Sequence, residues 1–188
     1  MSHLDYEINK ELGECYLFMG DLEKAEEYYQ KAASSNGVHP DPYLGLATIA
    51  VHRGHLDAAL HLYEKAADIQ TDDKSLSGMA LCKSEMGMEE EAFGHFAAAL
   101  EKNPENMIAL YGIIRLGHAL NRLNEVIPHL ESYLELDPHK HEIRFSLAGC
   151  KMSLGENGDA RQHLERIVEA DPENDAARQL LDQLREAA

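Results

Sequence analysis

The chain reads as an all-α repeat protein, five helix–turn–helix repeats followed by a closing helix. Two observations carry that reading. Gly20, Gly54, Gly87, Asn121 and Gly155 are separated by 34, 33, 34 and 34 residues. A set of apolar residues also keeps a constant register to these positions. A fixed period of this length marks a supersecondary unit that cannot bury its apolar face alone, so its copies stack on one another.

The first repeat, about residues 6–39, has a large and a small residue, Leu12 and Gly13, ahead of the turn at Gly20, then Ala25 and Tyr29, and closes at Gly37. The second, about 40–72, follows the scheme with Leu46, Ala47, Gly54, Ala59, Tyr63 and Thr71. The third, about 73–106, uses Met79, Ala80, Gly87, Ala92, Phe96 and Pro104. The fourth, about 107–140, has Ile113, Ile114, Asn121, Val126, Leu130 and Pro138, and the fifth, about 141–174, has Leu147, Ala148, Gly155, Ala160, Leu164 and Pro172. Small and large residues four apart share a helix face, a notch beside a knob, so paired helices approach closely. The prolines stand where a helix cannot run on. In the fourth repeat Asn121 replaces the turn glycine and Val126 and Tyr133 replace alanines. Its helix pair is therefore expected to pack more openly or differently. Pro128 is reconciled with a helix by taking Asn124 as its N-cap, which puts the proline in the first turn. Residues 173–186 carry Ala176, Ala177, Leu180, Leu181 and Leu184 on helical spacing, the pattern of a capping helix.

Leu12-Gly13-x-x-Tyr16, Ala25-x-x-x-Tyr29, Ala92-x-x-x-Phe96, Asp137-Pro138 and Asp171-Pro172 resemble the tetratricopeptide repeat (TPR) family over nearly the whole chain. There are departures: the chain has no Trp, and where the family favours an aromatic residue it has Asn9, Tyr43, Leu76, Leu110 and Arg144. The resemblance implies a right-handed α-solenoid, a single domain over residues 1–188, capped by the helix at 173–186. It also implies that the first helices line a concave groove for an extended peptide or a helix of a partner protein.

Carried onto this sequence, the groove face includes Lys10, Glu14, Leu17, Phe18, Leu44, Thr48, Val51 and His52. It continues through Ser77, Leu81, Ser84, Tyr111, Arg115 and His118 to Phe145, Gly149 and Met152. Leu44, Val51, Leu81, Tyr111, Phe145 and Met152 are the expected apolar anchors. Arg115 would take a carboxylate or carbonyl, with His118 beside it. Gly45, Gly78 and Gly112 hold one place in three successive repeats, either for close approach of a ligand or for tight helix packing. A member type that grips C-terminal carboxylates needs a lysine and asparagines in this groove. Here Lys10 fits, but Glu14 and Gly45 stand where the asparagines would be and Gly78 where a further basic residue would be. Carboxylate-clamp binding of chaperone tails is therefore not expected.

The 34 acidic against 17 basic side chains repel a phosphate backbone, which argues against nucleic acid and for a basic or apolar protein segment as partner. Acidic runs such as Glu89-Glu90-Glu91 fall at starts of second helices, where they complement the helix dipole. The most apolar stretch, Met107 to Ile114, ends at Arg115, too short for a membrane span. With no secretory pattern at the start, a soluble cytoplasmic protein is expected. Cys15, Cys82 and Cys150 recur at one register position in alternate repeats, too far apart to pair, and read as buried small residues. Eleven histidines show no ligand spacing for a metal, so no metal or cofactor is expected. No catalytic pattern is present, and His141-Glu142 lacks the second histidine of a zincin. The expected function is a non-catalytic protein–protein interaction scaffold. The alternatives are a solenoid that assembles with itself, through the fourth repeat or an apolar end at Tyr6, and a targeting fragment of a larger enzyme.

Overall fold

The computed structural model describes residues 3–35 and 38–186, excepting the side chains of His3, Ser35 and Glu186. Gly37, where the first repeat was expected to close, lies outside them. Among the described residues there are eleven α-helices and no strand. They are α1 (His3–Phe18), α2 (Leu22–Ser35), α3 (Asp41–His52), α4 (Leu56–Ile69), α5 (Asp73–Glu85) and α6 (Glu89–Lys102). Then follow α7 (Met107–Ala119), α8 (Leu123–Leu136), α9 (His141–Ser153), α10 (Asn157–Ala170) and α11 (Asp175–Glu186). The helices pair as the repeats predict, α1 with α2 through α9 with α10.

The turns are set by one residue each. Gly20, Gly54, Gly87 and Gly155 have φ of 78°, 75°, 79° and 80°, and among the described residues Asn121, at 57°, is the non-glycine residue with positive φ. At each turn the residue after it closes a six-residue backbone bond, as in Asp21 N–H to Tyr16 C=O at 2.9 Å and Arg122 N–H to Gly117 C=O at 2.8 Å. This pattern satisfies carbonyls that the first helix would otherwise leave open. Asparagine tolerates the left-handed region better than other side chains, which is why the fourth repeat keeps the turn without glycine.

The repeat's small and large residues are buried as their spacing requires. Ala25, Ala59, Ala92, Val126 and Ala160 are fully buried, and Tyr29, Tyr63, Phe96, Leu130 and Leu164 lie beside them in the core. Packing divides the chain into two compact lobes, residues 1–112 and 113–188. The first has a cluster around Ala25, Tyr29 and Ile49, with Tyr16, Leu17, Leu22 and Leu46 against it. In the second, Ala177, Leu181 and Leu184 of α11 close over Ala148, Ala160, Leu164 and Ile167. Ala176, expected on the same face, is exposed.

Two expectations are corrected and one is narrowed. The α8 helix starts at Leu123, with Arg122 and not Asn124 as its N-cap, so Pro128 lies inside the helix beyond the first turn. Pro128 and Asn124 are both exposed, which leaves water available to the backbone groups the proline cannot serve. Of the two alternatives for the fourth repeat, more open or different packing, the close approach of Gly117 to Val126 favours the second: a Cβ at Gly117 would sit 2.3 Å from Val126 Cγ2. Cys82 and Cys150 are buried free thiols, whereas Cys15, on α1, is exposed.

Candidate functional site

Within the first lobe, α1, α3 and α5 border a cleft of about 390 Å³. Leu17, Leu44 and Leu81 supply its apolar wall, one from each of these helices, with Thr48 and Ser77 between them. Ile108, near the start of α7, lines it too.

Its floor is aromatic, and glycines make that geometry available. The Tyr29 ring, on α2, lies against α3 so closely that a Cβ at Gly45 would be 2.3 Å from its Cζ. Tyr63 stands in the same relation to Gly78, and Phe96 to Gly112, at 2.3 and 2.4 Å. Real side chains do not approach so closely. The glycine row therefore serves packing, each aromatic knob of a second helix seating on the first helix of the next repeat. Tyr29 and Tyr63 line the cleft as well.

The polar groups of the cleft are held in place. The Thr48 hydroxyl donates to the Leu44 carbonyl at 2.9 Å and lies 3.4 Å from the Tyr63 hydroxyl. Asn106 donates from Nδ2 to Asp73 Oδ2 at 2.8 Å and to Ser77 Oγ at 3.3 Å. Its Oδ1 accepts the Ala109 N–H at 2.9 Å, so one asparagine caps α7 and fixes the cleft margin on α5. Glu14 and Asp41 are acidic lining residues and Lys74 a basic one. Tyr6 donates to Asp41 Oδ2 at 3.3 Å. Burial, followed by the Asp41 charge, pushes the Tyr6 phenol well above its ordinary range. Burial pushes Tyr29 up to about 12. Both phenols stay neutral at any ordinary pH. Lys10 is not free for a ligand carboxylate, since its Nζ pairs with Glu7 at 3.1 Å.

Of the eight residues expected to bind, Leu44 and Leu81 come together in this cleft. Val51 is half-buried on α3 and is not among the lining residues. Tyr111 is 49% exposed on α7, one helical turn beyond Ile108. These four lie in the first lobe. Arg115 and His118 are exposed on the part of α7 that belongs to the second lobe. Phe145 and Met152 are half-buried against the core cluster of that lobe, and Phe145 also lines a recess of about 270 Å³ with His141, Glu142, Asn174 and Ala176. Sequence reasoning missed Tyr29, Tyr63, Asn106 and Ile108. The spacing of the two tyrosines points to the core, where both are also buried. Among the described residues no three His, Cys, Asp or Glu side chains are grouped to hold a metal ion, and no helix is long and apolar enough to cross a membrane.

Comparison with known proteins places this architecture. The family profile described as tetratricopeptide repeat matches residues 19–81 and 117–184. BBSome complex member BBS4 of Bos taurus is 29% identical over 111 residues, which is 58% of this chain and 21% of that protein. The TPR repeat-containing protein YpiA of Bacillus subtilis is 23% identical over 169 residues, 88% of this chain and 40% of that protein. The chain thus spans less than half the length of either relative. Among solved structures, that of pilF of Pseudomonas aeruginosa has a TM-score of 0.76 at 19% identity, over 97% of this chain and 84% of its own. That of YrrB, described as a TPR protein with an unusual peptide-binding site, has a TM-score of 0.66 at 16% identity, over 89% and 87%. At such identities the likeness shows the fold.

Proposed function

The chain belongs to the tetratricopeptide repeat family, and from that premise we propose that it is a non-catalytic scaffold whose first-lobe cleft takes a segment of a partner protein. TPR folds serve generally as protein–protein interaction scaffolds, and all-α TPR architecture is what this chain has. The observation that carries the finer reading is the cleft itself, with an apolar wall from three successive first helices beside polar groups already fixed by hydrogen bonds. YrrB, which shares the fold, is described as having a peptide-binding site.

Leu44, Leu81 and Ile108 are the anchors of this reading, with Tyr111 extending the apolar surface along α7. Each well-buried anchor contributes about 1.5–3 kcal/mol of gross transfer energy. Three or four of them reach micromolar affinity after association costs of several kcal/mol. Val51 remains a proposed contact in the first lobe, and Arg115, His118, Phe145 and Met152 are proposed contacts for a partner segment on the second lobe, taken by itself. Glu14 and Asp41 favour a ligand with a basic group beside its apolar residues. A cytoplasmic setting is part of the proposal, supported by three unpaired cysteines of which Cys15 is exposed. Peptide-display selection on the intact chain, beside a folded Leu81→Glu, Tyr111→Glu variant, tests this function. Sequences enriched on the parent and lost on the variant support it. Equal enrichment on both removes the cleft as the site.

A second reading, self-association, is favoured by one observation. Leu4, Ile8, Cys15 and Phe18 are exposed on α1 at spacings that place them along one face. Sedimentation over a wide concentration range tests it, a constant monomer mass excluding it.

A further inference from the structure

The second lobe holds another recess, of about 370 Å³, bordered by α8, α9 and α10. Arg144 on α9 and Arg166 on α10 line it, together with His163, Glu131 and Glu135. Arg144 is 8% exposed, and its Nη2 donates to the Pro138 carbonyl at 2.7 Å. Among the described residues, no carboxylate comes within ion-pairing distance of either guanidinium. Buried charges are ordinarily paired, because an uncompensated one is costly. Burial first and the Arg166 charge second lower the Arg144 pKa, so the two cations repel one another. Beside them His163 Nδ1 is buried with no hydrogen-bond partner.

The repeat register shows what is unusual here. Arg144 occupies the place of Tyr43 in the second repeat, and Arg166 the place of Lys65. There the cation is satisfied: Lys65 Nζ lies 4.4 Å from the centroid of the Tyr43 ring. Leu76 and Leu110, at the same place in the third and fourth repeats, are buried apolar residues. The fifth repeat has replaced a core residue with a guanidinium and kept the cation opposite. Two positive charges now stand where a second-repeat cation–π pair stood.

We propose that this recess is an oxyanion site that holds a phosphate group between Arg144 and Arg166. A phosphate presents several acceptor oxygens and up to two negative charges, which matches two guanidinium forks and offsets both cations. A carboxylate would offset one. The nearby carboxylates leave that charge largely in place. Glu131 is drawn to Lys151 at 3.7 Å, and Lys151 also meets Glu156 and Asp159 at 3.3 and 3.7 Å. Glu135 is exposed at the rim, where solvent screens it. The recess is larger than a phosphate, which leaves space for the group that carries it.

The test is a titration of the intact chain with inorganic phosphate at constant ionic strength, made up with chloride, following the arginine Nε–H signals by NMR. Saturable shifts at Arg144 and Arg166 are expected with phosphate and absent with chloride. Arg166→Gln, at an exposed position, is expected to weaken binding at least tenfold, whereas Glu135→Gln, at the screened rim, changes it little. A capped phosphoserine run in parallel identifies the source. Tighter binding than inorganic phosphate assigns the site to a phosphorylated protein segment, and equal or weaker binding assigns it to the free anion. Shifts that grow linearly and match those with chloride overturn the proposal. So does an Arg166→Gln variant that titrates like the parent.

Discussion

The Tyr29 ring is wedged between two glycines: a Cβ at Gly13 would lie 2.8 Å from its Cδ1, and a Cβ at Gly45 only 2.3 Å from its Cζ. Retreat from one brings the ring onto the other. Gly45→Ala is therefore expected to destabilise the protein, although alanine is the better helix former. Overpacking costs about 1–3 kcal/mol and helix propensity returns roughly 1, which leaves a net loss of about 0–2 kcal/mol, centred near 1. Chemical denaturation of Gly45→Ala with and without Tyr29→Leu checks this, since the smaller side chain should relieve the clash and show coupling between the two sites.

Among the described residues, Asn121 holds the one positive-φ turn that lacks glycine, with φ at 57°. Replacement by alanine is expected to cost about 1 kcal/mol, because a Cβ without a local hydrogen-bonding group disfavours that region. Asn121→Gly should be neutral or slightly stabilising. The midpoints of denaturant unfolding for the two variants, compared at unchanged slope, measure both.

The pH dependence has two separate windows. Burial first, then the Lys83 charge, lowers the pKa of His95 below its ordinary 6.5, and burial followed by Arg144, Lys151 and Arg166 does the same to His163. The unfolded chain takes up these protons before the folded one. Stability is thus complete above pH 6.5 and falls as the pH drops through that value towards the lowered folded-state values. Glu91 and Glu125, held below their ordinary 4.5 by Lys83 and Arg122, contribute stability that is lost only as the pH falls below that range. Unfolding midpoints in phosphate-free buffer should show the first loss in the parent. It should be reduced in a His95→Gln, His163→Gln variant.

Much of the fold was legible because a turn needs one special backbone conformation and a core needs one period. Gly20, Gly54, Gly87, Asn121 and Gly155 announce both, and all five have positive φ. The site was less legible. Tyr29 and Tyr63 read as core knobs by spacing, and nothing in spacing says that the same rings also floor a cleft. Register position also failed to fix burial at Cys15, since exposure depends on which helix lies opposite. Val126 looked like a packing defect until Gly117, from the facing helix, supplied the missing space. Arg144 stood out as a departure from the family pattern. Its meaning needed Arg166, a residue on the next helix.

Tyr111 separates binding from stability. It is 49% exposed, so Tyr111→Ala should lower the melting temperature by little while weakening a cleft-bound peptide. A large loss of stability would reassign this residue to the core.

The proposed scaffold function rests on a partner segment lying in the first-lobe cleft. Methyl NMR of the intact chain, titrated with a peptide enriched by display, tests it most directly. Saturable shifts are expected at the Leu17, Leu44, Leu81 and Ile108 methyls, from four helices that all line this cleft. Shifts confined to the exposed Leu4 and Ile8 of α1, with those four unmoved, would overturn it.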